Sequence, residues 1–83
     1  MQMLYFAWLR AKIGKAGEEL DAPADVATVA ELLDWLTGRG DGYADALSDR
    51  SAVRVAVNQH YVKGDHPVAP GDEVALFPPM TGG

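Results

Sequence analysis

Cysteine is absent from the 83 residues, which excludes disulfides, thiolate metal sites and a cysteine nucleophile. That absence fits a reducing compartment, and a cytoplasmic location is expected. Basic residues are scarce: 7 Lys and Arg against 12 Asp and Glu leave a net charge of −5. Nucleic acid demands a basic face, so no nucleic-acid partner is expected, whereas a basic protein surface is compatible. No apolar run approaches the roughly 18 residues of a membrane span. Met1–Leu9 is apolar, but Arg10 and Lys12 follow it, the wrong order for a signal peptide. No membrane association is expected.

What remains is a chain for one small domain, with 48% apolar residues to build a core. Met3-Leu4-Tyr5-Phe6-Ala7-Trp8-Leu9 reads as a first strand. A Gly-containing turn around Ile13–Gly17 leads to a short second strand near Glu18–Ala22, which would form a hairpin with the first. Thr28-Val29-Ala30-Glu31 has the spacing of a capping box. Val29, Leu32, Leu33 and Leu36 then recur at helical spacing, and Gly38 and Gly40 end the helix. Tyr43–Asp49 permits a further turn or two of helix. Val53–Val57 reads as a third strand, Asn58-Gln59 as its turn, His60–Val62 as a short return, and Glu73–Phe77 as the last strand.

The predicted order β-β-α-β-β-β, with one main helix on one face of a mixed sheet, is the α+β arrangement called the β-grasp, or ubiquitin-like, fold. It needs the first and last strands to be central and parallel. The predicted division is a domain over 1–77 and a flexible tail over 78–83.

The ending, Pro78-Pro79-Met80-Thr81-Gly82-Gly83, is the most specific stretch. Two glycines without side chains can enter a channel too narrow for any other pair. Pro78 and Pro79 favour an extended chain that resists collapse onto the domain. Six residues extend about 20 Å at most. The tail is therefore expected to be a carboxylate on a tether, threaded into another protein.

These pieces resemble the small, sulfur-carrying subunit of molybdopterin synthase. The resemblance rests on Leu4-Tyr5-Phe6-Ala7 with Leu9-Arg10, Ala27–Leu32, Val55–Gln59, Asp65-His66-Pro67, Gly71–Ala75 and the terminal Phe77-Pro78-Pro79-Met80-Thr81-Gly82-Gly83. It covers essentially the whole chain, and the terminal pattern is its specific part. Trp8 and Tyr61 are bulkier than expected in the family, a departure that touches the partner surface and leaves the chemistry alone.

The resemblance implies a chemistry. An α-carboxylate is ionised at neutral pH and is a poor electrophile. A ubiquitin-activating-like adenylyltransferase would consume ATP to make a glycyl-adenylate at Gly83, and sulfur would then displace AMP to leave 1-thioglycine. The tail would deliver that sulfur to a pterin precursor in the large catalytic subunit, within a heterotetramer. The chain itself would be a non-catalytic, sulfur-donating subunit with no bound cofactor.

The side chains agree with that role, since no convergent nucleophile and base are evident. His60 and His66 read as surface residues, and no metal site is expected. Glu18, Glu19 and Asp21 read as solubilising charge on an edge strand, and Gly38–Gly42 as a turn.

A second inference concerns docking. If Val55, Val57, Val74 and Leu76 face the helix, alternation sends Phe77 to the open side of the sheet. Along the first strand it sends Met3, Tyr5, Ala7 and Leu9 inward and Phe6 and Trp8 outward. Phe6, Trp8, Tyr61 and Phe77 are therefore the expected partner interface. Three other readings stay open: a ubiquitin-like protein modifier, a sulfur carrier of another pathway such as thiamine biosynthesis, and a purely structural interaction domain.

Overall fold

The structure, a computed structural model, describes residues 1–79. Strand β1 covers Gln2–Tyr5, helix α1 Ala7–Ile13 and strand β2 Gly17–Glu19. Helix α2 spans Val29–Thr37 and helix α3 Asp41–Ala46, followed by a short 3-10 turn at Arg50–Ala52. Strands β3 (Arg54–Val57), β4 (His60–Val62) and β5 (Glu73–Phe77) complete the described chain. The sheet order is β2-β1-β5-β3-β4, with β1 and β5 parallel and the other pairs antiparallel. This is the expected β-grasp, with β5 at the centre.

The first strand is shorter than its apolar run suggests. It ends at Tyr5 because Ala7 adopts φ 55, a left-handed value at which a strand cannot continue. Phe6 is still extended and serves as the N-cap of α1. Gly14 closes that helix at φ 91, its N–H donating to the Arg10 carbonyl at 2.9 Å. So β1 and β2 pair as a hairpin would, but a helix connects them in place of a tight turn. Gly17 opens β2 where a Cβ would come 2.7 Å from the Met3 carbonyl oxygen, so only glycine lets the two strands approach. The second strand lies over Gly17–Glu19, and Leu20 beyond it is buried outside the ladder.

Helix α2 follows the pattern read from the sequence. The Glu31 N–H donates to Thr28 Oγ1 at 3.3 Å, and Thr28 N–H donates back to Glu31 Oε1 at 3.1 Å. Both halves of the capping box are therefore made. Val29, Leu32, Leu33 and Leu36 are buried, while Asp34 is exposed. The Gly38–Gly42 stretch is not simply a turn, because Asp41 and Gly42 already belong to α3.

Helices α1, α2 and α3 pack on one face of the sheet. Their Leu9, Leu32, Leu36 and Tyr43 meet Met3, Tyr5, Val55, Val57, Val74 and Leu76 in one apolar core. Asn58 and Gln59 turn β3 into β4 with φ 51 and 71, the paired positive values of a tight two-residue hairpin.

Candidate functional site

The face of the sheet away from the helices carries the candidate docking surface. Register sets it: Ala75 on β5 lies between Leu4 on β1 and Ala56 on β3, and Ala56 pairs with Tyr61 on β4. Since Val74 and Leu76 point into the core, Ala75 and Phe77 point to the open side. The Tyr61 and Phe77 rings meet there, with centroids 5.3 Å apart and planes tilted by 41°. Tyr61 is 76% exposed. Such an exposed aromatic pair is the candidate for a docking surface on this face.

Phe6 is 49% exposed. Its N–H donates to the Leu76 carbonyl at 3.1 Å, which places it beside β1 at the end of the sheet where Phe77 lies. Its backbone is extended and follows the buried Tyr5, so the outward direction expected from alternation holds at Phe6, which also caps α1. The same helix corrects two neighbours. Ala7 is exposed and not inward, and Trp8 is half-buried against the core, so strand alternation does not group it with Tyr61 and Phe77. Leu9 is fully buried, as expected, but from the helix. Pro78 and Pro79 follow β5 directly and are both half-buried. Met80, Thr81, Gly82 and Gly83, the remainder of the expected threading segment, lie outside the described residues.

A second constellation was not foreseen. Glu18 points inward from β2, and its Oε2 accepts hydrogen bonds from the Tyr5 hydroxyl at 2.7 Å and the Tyr43 hydroxyl at 2.6 Å. Its Oε1 accepts from Lys15 Nζ at 3.2 Å and lies 3.8 Å from the Arg39 guanidinium. Arg39 also sits over the rings of Trp35 and Tyr43, at 5.0 and 5.5 Å from their centroids. Burial pulls the Glu18 carboxyl upward, but the hydrogen bonds from Tyr43, Tyr5 and Lys15 prevail and hold it below its ordinary range. Burial, with the bond to Glu18, pushes the Tyr5 hydroxyl far above its ordinary value. A proton on each phenol and none on the carboxylate makes a structural clamp between strands and helix. The expectation that Glu18 is surface charge is therefore wrong, because the residue opposite it is the buried Met3.

His60 Nδ1 lies 3.1 Å from the Asn58 carbonyl oxygen, and His66 is half-buried. Among the described residues no group of three His, Cys, Asp or Glu side chains is placed to hold a metal ion. No helix among them is long and apolar enough to cross a membrane.

The class the structure defines is a small ubiquitin-like β-grasp domain with exposed aromatics near the end of its last strand. The ThiS family description matches residues 3–83. The molybdopterin synthase sulfur carrier subunit of Escherichia coli (strain K12) is 42% identical over 83 residues, covering 100% of this chain and 99% of that one. Among solved structures, the putative molybdopterin converting factor subunit 1 from Pyrococcus furiosus has a TM-score of 0.76 at 30% identity, covering 95% of each chain. The small archaeal modifier protein 1 of Haloferax volcanii has a TM-score of 0.75 at 30% identity, covering 96% of this chain and 97% of that one. The chain belongs to the ThiS family, among the molybdopterin synthase sulfur carrier subunits.

Proposed function

We propose that the protein carries sulfur for molybdenum-cofactor biosynthesis on the carboxyl group of Gly83. The observation that supports this most is likeness along its whole length to carrier subunits, with the family match running through Gly83. The ATP-dependent step belongs to an activating adenylyltransferase. There the carboxylate oxygen attacks the α-phosphorus of ATP, pyrophosphate leaves, and a glycyl-adenylate remains. A sulfur nucleophile then attacks the acyl carbon, AMP leaves with its electron pair, and the thiocarboxylate is formed. Sulfur is the softer and better nucleophile, and it attacks the pterin precursor bound to the large synthase subunit. A dithiolene holds two sulfurs, so two loaded carriers serve each product.

In this reading Phe6, Tyr61 and Phe77 dock the large subunit, with Trp8 at the margin. Pro78 and Pro79 then direct Met80 to Gly83 into its active site, and a heterotetramer is the expected assembly. Residues 1–77 act as the grip and 78–83 as the working arm. The carrier itself needs no bound cofactor and works in the cytoplasm.

The likeness to an archaeal modifier supports a second reading, in which Gly83 ends in an isopeptide bond to a target lysine. Intact-mass measurement of the protein isolated from its own host separates the two. Exchange of one oxygen for one sulfur supports the carrier. A covalent protein adduct, with no thiocarboxylate form at all, overturns it in favour of the modifier.

A further inference from the structure

A groove of about 570 Å³ runs between helix α2 and the β3–β4 edge of the sheet. Its floor is aliphatic, formed by Val29, Leu33 and Val53. Its rim is cationic: Arg50, Arg54 and Lys63 line it, three of the seven Lys and Arg residues in a chain of net charge −5. Among the described residues no carboxylate lines it. Asp34 pairs with Arg50 at 3.0 Å and offsets that one cation. Arg54 donates from one guanidinium nitrogen to the Ser51 and Val53 carbonyls, and among the described residues it makes no ion pair. Lys63 is exposed. The groove is continuous with the docking surface, because Arg54, Val55, Tyr61 and Val62 also line a smaller cleft of about 210 Å³ that ends on Phe77.

We propose that this groove receives an acidic segment of the large synthase subunit, one that sets aliphatic side chains on the floor and carboxylates against Arg54 and Lys63. The inference rests on the carrier reading, since it names what that partner places beside the aromatic pair. Charge complementarity selects the occupant. A basic surface is repelled by this rim, a polyphosphate is disfavoured by the chain's net charge of −5, and an uncharged apolar surface leaves two cations facing a low-dielectric contact without partners.

The experiment titrates the large synthase subunit with the full chain and two variants, by calorimetry at low and high salt. The first variant, Lys63→Glu with Arg54→Glu, reverses the rim. The second, Ala30→Trp, fills the groove from an exposed helix position whose N–H donates to the Gly64 carbonyl at 2.9 Å. Thermal melts establish that both are folded. The expected result is a loss of affinity of roughly tenfold or more for the charge variant at low salt, shrinking at high salt. A comparable loss for Ala30→Trp should persist at both. Wild-type affinity in both folded variants overturns the groove and leaves the carrier reading standing. A loss confined to the charge variant overturns it too, because a diffuse field rather than an occupied groove would account for it. Failure of the unaltered chain to bind the large subunit overturns the carrier reading itself and the groove with it.

Discussion

The Glu18 carboxylate joins four parts of the chain at one point: its own strand β2, Tyr5 from β1, Tyr43 from α3, and Lys15 from the loop before β2. Charge-assisted hydrogen bonds of this kind contribute about 1.5–3 kcal/mol each when the acceptor is desolvated. Glu18→Gln keeps the shape and removes the charge, and should lower stability at neutral pH by about 1–3 kcal/mol. The sign with pH follows from the lowered folded-state value. Its contribution is present above the ordinary glutamate range, near pH 4.3, and is lost as pH falls through the lower value held in the fold. Urea midpoints of wild type and variant should therefore differ at pH 7 and converge in acid. A difference that persists in acid would mean that packing, and not charge, is what the substitution removed. Tyr5 acts at the opposite end, since its raised value makes stability fall once pH rises past about 10. None of this was legible in the chain. Glu18 is separated from Tyr5 by 13 residues and from Tyr43 by 25, and a pair of glutamates on a short strand looks the same whether it faces water or a core.

Among the elements, legibility tracked local redundancy. Helix α2 carries a cap, a periodic face and a glycine stop, all pointing to the same answer. Strands β3, β4 and β5 were each bounded by turn residues, and the Asn58-Gln59 turn fixed the register between the first two. Helix α1 was hidden because Met3–Leu9 satisfies two patterns at once. Alternation buries Met3 and Tyr5, and one helical turn then buries Leu9, so the inward set is nearly that of an unbroken strand. Only the left-handed bend at Ala7 separates the two descriptions, and alanine gives no warning of it. Helix α3 has too few residues for a period to show. On the candidate surface, Phe6 and Phe77 were legible from alternation, whereas Trp8 was not, because α1 has already begun there. For α2 the consequence is measurable: Leu32→Ala or Leu36→Ala, each fully buried, should cost about 2–5 kcal/mol. Unchanged unfolding midpoints in both variants would contradict the packing described.

For the whole molecule, division of labour between a rigid body and its last residues is the main expectation. Deleting Gly83 should leave the thermal midpoint unchanged while abolishing sulfur transfer in a reconstituted synthase, and transfer by the truncated chain would end the carrier reading. Phe77→Ala should weaken binding to the large subunit by about 1–3 kcal/mol, as a modest hot spot does. That loss should hold at high salt, because burial of a ring is insensitive to screening. The position of β5 has one more consequence. It is flanked by β1 on one side and β3 on the other, with paired residues along its whole length. A load applied to the chain beyond Phe77 acts along the strand axis, so both ladders are sheared together and their hydrogen bonds cannot be peeled one at a time. A pull on Pro78 is therefore met by two ladders at once, and the strand holds as an anchor.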